Sequence, residues 1–223
     1  MENEVSDLKE QITRLKNLLN GIVFVLTDIA ENRDKGTGGH IERTTSYIKI
    51  LIDRMKAKGI YSSELNSMDL ETLYSSVYLY DIGKINIPDE IINKPGRLSA
   101  DEFEIMKTHA MEGEKIIDRI IAKTGSNSEY LKNAKLFAGY HHERWDGKGY
   151  PHKLDRLNIP IQGRIMAIVD VYDALVSERP YKKPFTCEEA AKIIIDSSGE
   201  MFDPLITEAF YEVKNQFEAV KTQ

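Results

Sequence analysis

The chain has 223 residues, of which 41% are hydrophobic and 30% are charged, as expected for a globular protein with one substantial core. Its net charge of −6 argues against broad electrostatic binding to nucleic acid or to an anionic membrane, so an anionic ligand would need a local basic cluster. Cys187 is the single cysteine, which excludes an intrachain disulfide and a thiolate zinc cage. With no signal peptide and no apolar run of about eighteen residues, the sequence predicts a cytoplasmic protein without a membrane span.

Residues 5–29 carry a heptad pattern with spacings of three and four. Its apolar positions are Val5, Leu8, Ile12, Leu15, Leu19, Ile22, Leu26 and Ile29. The intervening positions up to Asn20 are mostly charged or amide side chains, which favours the seam of a parallel two-stranded coiled coil. An amphipathic helix packed on its own domain is the alternative. We therefore expect a linker helix that forms a homodimer over residues 1–25, a globular domain over residues 26–215 and a C-terminal tail over residues 216–223.

The rest of the chain is predicted to be helical as well. The expected helices cover about 40–58, 67–79, 99–123, 130–140 and 161–177, with two more beginning near 186 and 203. Capping boxes at Ser99 and Thr186 mark two of these starts, and Asp203 before Pro204 marks the last. Since no stretch alternates like a strand over a useful length, the predicted fold class is all-α.

The most informative stretch is residues 139–151, which read GYHHERWDGKGYP. It places His141 and His142 at the end of a predicted helix, and adjacent histidines in a structured region are typical of two nitrogen ligands for one metal. The loop that follows is expected to need Gly147 and Gly149 for backbone angles that a side chain resists, and Pro151 to fix its exit. This pattern predicts a metal and substrate site.

Four further residues offer metal-ligating side chains near the ends or on the inner faces of predicted helices. They are His40, Asp81, His109 and Asp170. Asp81 and Asp170 lie in apolar stretches, where a buried carboxylate is costly unless it is paired or binds a metal. Singly, each has an ordinary explanation, such as a surface position for His109 or an ion pair with Arg164 for Asp170. Together with the adjacent histidines, they predict a metal centre.

These motifs resemble an HD-GYP domain of the HD phosphohydrolase superfamily, whose characterised members hydrolyse the bacterial second messenger cyclic di-GMP. The resemblance runs from about 26 to 210 and rests on four segments: Asp81 with Gly83-Lys84, Met106 to His109, His141-His142-Glu143, and Gly149-Tyr150-Pro151. It implies an HD-domain helical bundle. Residues 31–40 resemble response regulators in which a receiver precedes the HD-GYP domain, so the heptad helix would link an upstream receiver or sensor domain.

The resemblance also implies a divalent metal site, either binuclear or with a single occupied position. The implied metal ligands are His40, Asp81, His109, His141, His142 and Asp170. Asp81 and Lys84 would act in catalysis, and the implied substrate-binding residues are Lys84, Tyr150, Arg179 and Lys182. Iron or manganese is the expected metal, with nickel and zinc as alternatives, and the substrate would be cyclic di-GMP or a related cyclic dinucleotide. A solvated basic turn around Arg179, and a simple ion pair between Lys84 and Asp81, are the ordinary alternatives.

The chain departs from the family at the motif that names it, because Tyr80 stands where the HD motif has histidine. A phenol with a pKa near ~10 is a weak metal ligand at pH 7. Gly36 stands where members with three metals carry a carboxylate, so a third metal is not expected. The first hypothesis is therefore a cyclic di-GMP phosphodiesterase, and the second is a catalytically impaired domain that binds a nucleotide or a partner protein. A purely structural dimerisation module is the third, and it predicts that no metal co-purifies.

Overall fold

A computed structural model of the chain describes residues 2–31, 39–126, 128–178 and 183–221. The helices are α1 Glu2–Glu31, α2 His40–Ala57, α3 Ser62–Asn66, α4 Leu70–Ser76, α5 Asp89–Ile92, α6 Ala100–Thr124, α7 Glu129–Tyr140, α8 Ile161–Val176, α9 Cys187–Asp196 and α10 Pro204–Lys221. Short 3₁₀ turns cover Val77–Leu79, Ile82–Asn86 and Arg156–Asn158. Over the described ranges there is no β-strand, which confirms the all-α prediction. None of the helices in these ranges is both long and apolar enough to cross a membrane.

Side-chain caps begin several helices where the sequence predicts them. At α6, the Ser99 hydroxyl accepts the N–H of Glu102 at 3.2 Å, and the Glu102 carboxylate accepts the N–H of Ser99 at 2.6 Å. The same reciprocal pair begins α9. At α10, the Asp203 carboxylate accepts the N–H of Leu205 at 2.9 Å. The sequence did not predict α3, because five residues are too few to show a helical period.

The main core lies between α2, α4, α8, α9 and α10. Four aromatic rings meet near its centre, where Tyr47 stacks on Phe217 at 4.5 Å and Tyr172 meets the edge of Phe217 at 5.2 Å. Phe210 lies 5.1 Å from Phe217, which is fully buried. Residues 216–221, expected to be part of a tail, therefore continue α10 and contribute to this core.

A second apolar cluster joins α6 and α7 to residues 77–86, the segment that carries Tyr80 and Asp81. Gly83 makes this close approach sterically feasible. A Cβ at Gly83 would lie 1.9 Å from the carbonyl oxygen of His109 and 2.5 Å from the amide nitrogen of Gly113. Because glycine has no Cβ, the segment rests directly on the backbone of α6, and Asp81 is brought next to His109.

Helix α1 exposes its predicted heptad positions. From Val5 to Leu26, the described apolar seam positions are 45–65% exposed, so they do not pack on the chain's own domain. Contact begins near the end of the helix, where Val23 joins the second cluster and the ring of Phe24 lies 5.7 Å from that of Tyr78. The side chain of Ile29, the last predicted seam residue, lies outside the described residues. The end of α1 thus rests on the segment that leads to Asp81.

Candidate metal centre

Three histidine side chains converge on one point. The Nε2 atom of His109, on α6, lies 3.2 Å from Nε2 of His141 and 3.1 Å from Nε2 of His142, just after α7. Among the described His, Cys, Asp and Glu residues, these three form the one group compact enough to hold a metal ion. The adjacent histidines and His109 therefore meet as predicted.

Hydrogen bonds to backbone carbonyls fix the tautomers of two of these rings. Nδ1 of His109 lies 2.7 Å from the carbonyl oxygen of Met106, and Nδ1 of His141 lies 3.0 Å from two carbonyl oxygens in the last turn of α7. A carbonyl oxygen only accepts, so each Nδ1 carries the proton and donates it. The Nε2 lone pairs of both rings are left for the centre of the cluster, as in histidine metal ligands.

Burial keeps the imidazoles of His109 and His142 neutral. It lowers the pKa of His109 to about 4, although the Asp81 carboxylate opposes the shift. Burial, reinforced by the neighbouring imidazoles, also lowers the pKa of His142 well below its usual range. At pH 7 these two rings are therefore uncharged. The Nε2 atoms of His109 and His141, whose ring protons are on Nδ1, face one another at 3.2 Å, an arrangement that a cation between them would satisfy.

Asp81 adds an anionic oxygen to the cluster. Its Oδ1 lies 3.4 Å from Nε2 of His109 and 3.6 Å from Nε2 of His141, while its Oδ2 accepts a hydrogen bond from the Lys84 ammonium at 2.6 Å. Burial alone would raise the pKa of Asp81, but the Lys84 charge beside it holds that pKa well below its usual range. Oδ1 is buried without a hydrogen-bond partner, which is costly unless a ligand completes it. Three imidazole nitrogens and this oxygen form a donor set that fits a divalent metal.

The other two predicted ligands meet around Tyr80 instead. The Nε2 atom of His40 hydrogen-bonds to the Tyr80 hydroxyl, which also lies 3.3 Å from Oδ1 of Asp170. His40 Nε2 and Asp170 Oδ1 are 3.9 Å apart, with the phenol oxygen between them. Arg164 pairs elsewhere, with Asp203 at 2.9 Å, so the ion pair suggested for Asp170 is not formed.

Two residues that the sequence analysis did not assign to the site hold His40 in place. Nδ1 of His40 donates to Oδ2 of Asp173 at 2.5 Å. Arg43 donates two hydrogen bonds to the same carboxylate, at 2.7 and 2.9 Å. Burial would raise the pKa of Asp173, but the hydrogen bonds from His40 and Arg43 keep it below its usual range. The available signal was helical spacing, since Arg43 follows His40 by three and Asp173 follows Asp170 by three.

The glycine loop is folded back by Glu143, another residue whose role the sequence analysis missed. Its carboxylate accepts the backbone N–H groups of His152, Lys153 and Leu154 at 2.6, 3.0 and 3.0 Å. These bonds close a tight loop immediately after the histidine pair, and the position of Glu143 beside that pair was the available signal. The loop is thereby anchored to the chain that carries the metal ligands.

The loop places Tyr150 beside the cluster, with its ring 4.7 Å from that of His142. Gly147 has a φ of 75°, as predicted for a position that resists a side chain. The prediction for Gly149 was right about the residue and wrong about the reason. Its φ is not positive, but a Cβ there would lie 2.4 Å from the amide nitrogen of Arg144. Gly149 is needed because two backbone segments touch.

A cavity of about 620 Å³ opens beside the cluster. Its wall includes His141, His142 and Tyr150, together with the half-exposed ring of Phe103. Four cationic side chains also line it: Lys107, Arg144, Lys148 and Lys153. The predicted substrate residues Arg179 and Lys182 lie outside the described residues. Three of the four cations that line the cavity also face carboxylates, since Lys107 pairs with Glu104 at 2.5 Å, and Arg144 and Lys148 lie 2.8 and 3.6 Å from Asp146. On an acidic protein, this is a local basic cluster, partly neutralised, that an anionic ligand could meet.

Residues 24–206 match the protein family described as "HD domain". The chain belongs to the HD-domain family. The matched range covers well over half of the chain and includes every described residue of the cluster. The resemblance to HD-GYP proteins inferred from the motifs is confirmed by the relatives of this HD domain.

Two curated relatives come from Vibrio cholerae serotype O1. A cyclic di-GMP phosphodiesterase is 41% identical over 221 residues, covering 99% of this chain and 45% of its own length. A 3′3′-cGAMP-specific phosphodiesterase 2 is 36% identical over 207 residues, covering 93% of this chain and 37% of its own length. This HD domain therefore spans less than half the length of either relative.

A solved structure described as a cyclic GMP-AMP specific phosphodiesterase from V. cholerae superimposes with a TM-score of 0.55. It is 18% identical and covers 90% of this chain and 51% of its own. At this identity the likeness supports the HD-domain fold. Within that fold, the structure brings together His109, His141, His142 and Asp81, and gathers His40 and Asp170 around Tyr80.

Proposed function

We propose that this HD domain hydrolyses a cyclic dinucleotide, with cyclic di-GMP as the first candidate. One observation carries the proposal: the unpartnered Oδ1 of Asp81 faces a cluster of histidine lone pairs beside a cavity lined by four cations. The name of the 41% identical relative supports cyclic di-GMP as the substrate. The name of the 36% identical relative makes 3′3′-cGAMP the second substrate to test.

The metal would be held by His109, His141, His142 and Asp81. Nitrogen and oxygen donors of this kind suit iron or manganese, and also nickel or zinc. A divalent cation here would supply Lewis-acid charge to the phosphoryl group and to the attacking water. The backbone carbonyls that hold the imidazole rings keep these donors aligned before the substrate arrives.

The remaining roles belong to side chains around the cavity. Lys84 keeps Asp81 ionised and fixes one of its oxygens, so that the other is directed at the cluster. Tyr150 offers an aromatic face, and the ammonium of Lys107 lies 5.6 Å from the centre of its ring. The aromatic ring suits a nucleobase, and the ammonium suits a phosphate. Arg179 and Lys182 stay proposed ligands for the same substrate.

The proposed reaction adds water across one phosphodiester bond. The phosphorus gains a hydroxyl group, the bond to a ribose O3′ breaks, and that oxygen takes a proton, so the cyclic dinucleotide becomes linear. The test is multiple-turnover hydrolysis by protein loaded anaerobically with ferrous iron or manganese, with metal content measured on the same sample. We expect product from cyclic di-GMP, and loss of both metal and product in His142→Ala. Bound metal without product from either cyclic dinucleotide would contradict the proposal.

Tyr80 favours a second candidate, a domain that binds the nucleotide and does not turn it over. The phenol lies between two residues that the family resemblance assigns to metal. Under this alternative, metal-loaded protein binds cyclic di-GMP in calorimetry and releases no product. A large gain in rate in Tyr80→His would support it, whereas an unchanged rate would show that the tyrosine is tolerated.

We also propose that residues 1–25 pair with a second copy of the chain as a parallel coiled coil, downstream of a receiver or sensor domain. The exposed heptad positions support this pairing. In Leu8→Lys/Leu15→Lys the mass measured by light scattering should fall to that of one chain. A matched Ser6→Lys/Thr13→Lys variant adds the same two charges at heptad positions on the outer face and should keep the mass of two. Equal masses for wild type and the double variant would contradict the coiled coil.

A further inference from the structure

The hydroxyl of Tyr80 occupies the space between His40 and Asp170. It hydrogen-bonds to Nε2 of His40 and lies 3.3 Å from Oδ1 of Asp170. The ring behind it is fully buried and meets the edge of His141 at 5.3 Å. Because buried rings are close-packed, the hydroxyl cannot swing away without repacking the core around it.

The network behind His40 holds its Nε2 atom against this hydroxyl. Nδ1 of His40 is 2.5 Å from the Asp173 carboxylate, which only accepts, so the proton resides on Nδ1 and is donated. The other ring nitrogen, Nε2, is hydrogen-bonded to the Tyr80 hydroxyl. Arg43 binds Asp173 through two N–H groups and so prevents the carboxylate from turning away. The nitrogen that would ligate a second cation is thus already engaged.

The two halves of the site also differ in whether their polar atoms have hydrogen-bond partners. At the histidine cluster, His109 and His141 present lone pairs to each other, and Asp81 Oδ1 has no hydrogen-bond partner. Around Tyr80, the hydroxyl donates to Oδ1 of Asp170 and is also hydrogen-bonded to Nε2 of His40, so these polar atoms already have partners. A cation completes the first arrangement, whereas it would have to displace a hydrogen-bonded phenol from the second.

We infer that Tyr80 closes the second cation position, so that this HD domain holds one divalent cation per chain, at His109, His141, His142 and Asp81. The inference rests on the proposed metal-dependent function, but it concerns the number of metals. Protein with one metal and no turnover would defeat the proposed function alone. Turnover with two metals would defeat the inference alone.

The test measures manganese ions per chain by elemental mass spectrometry, after anaerobic loading and removal of free metal. Wild type should hold about one ion. A matched pair of variants locates it, since His40→Ala should keep the wild-type count and His142→Ala should lose it. Two ions in wild type, or a reduced count in His40→Ala, would overturn the inference. Circular dichroism of each variant confirms that the helices are retained.

Two substitutions at Tyr80 test whether the phenol is the cause. Tyr80→His should raise the count to about two, because the imidazole supplies the nitrogen that the family motif has there. A count that stays at one would show that something other than the phenol closes the position. In ferric-loaded wild type we expect no visible phenolate-to-iron charge-transfer band. Such a band, if lost in Tyr80→Phe, would make Tyr80 a ligand and overturn the inference.

Discussion

Replacing Gly83 by alanine should move Asp81 away from the histidine cluster. The new Cβ would lie 1.9 Å from the carbonyl oxygen of His109 and 2.5 Å from the amide nitrogen of Gly113. Both atoms belong to the backbone of α6, so no side-chain rotation can relieve the overlap. An ordinary contact begins near 3.4 Å, and the segment must therefore shift by about 1.5 Å. Asp81, two residues earlier, is carried with it.

The magnitude follows from that shift. Overpacking of this kind costs about 1–3 kcal/mol of unfolding free energy. A displacement of about 1 Å in a reacting group lowers rates by on the order of 100-fold, and a shift of 1.5 Å separates Asp81 Oδ1 from imidazole nitrogens that now lie 3.4 and 3.6 Å away. Urea denaturation would measure the stability, and metal analysis with cyclic di-GMP turnover would measure the site.

Two other glycines provide matched controls. In Gly113→Ala the new Cβ would lie 3.0 Å from the Cβ of Ala138, so a shift of a few tenths of an ångström suffices. The loss of unfolding free energy should therefore be smaller than in Gly83→Ala. In Gly21→Ala nothing lies within 4 Å of the new Cβ, and the higher helix propensity of alanine should add about 0.5–1 kcal/mol to the unfolding free energy. If Gly83→Ala unfolds at the same urea concentration as Gly21→Ala and keeps its metal, Gly83 does not position Asp81.

Phe217→Ala should cost about 3–5 kcal/mol in urea denaturation because its ring is fully buried; a loss under about 1 kcal/mol would mean that the end of α10 is detached. Glu143→Gln turns an acceptor oxygen into an N–H donor that faces backbone N–H groups, so it should cost about 1–3 kcal/mol. It should also weaken nucleotide binding in calorimetry, and unchanged affinity would argue against the anchoring role of Glu143. Glu212→Gln breaks exposed ion pairs with Arg54 and Lys58 and should leave the urea midpoint nearly unchanged. A large drop in the midpoint would show that these ion pairs contribute substantially to stability.

The sequence by itself determined the helical class, most helix starts and the identity of the histidine cluster. These features depend on local signals: the period of apolar residues, the capping box at Ser99 and the adjacent pair His141-His142. The short helix α3 and the buried end of α10 at Phe217 were missed. A five-residue helix shows no period, and a terminal aromatic residue carries no local sign of what covers it.

Only the tertiary structure decided which candidate ligands meet. His40 and Asp173 are 133 residues apart in the chain, and His40 and Tyr80 are 40 apart, so no local pattern reports their contact. The sequence showed that Tyr80 replaces the histidine of the family motif. The fold placed its hydroxyl between His40 and Asp170, because a buried ring on one segment fixes its polar tip against two others. Residue types determine which chemistry a chain can offer, and packing determines which of those groups come within bonding distance.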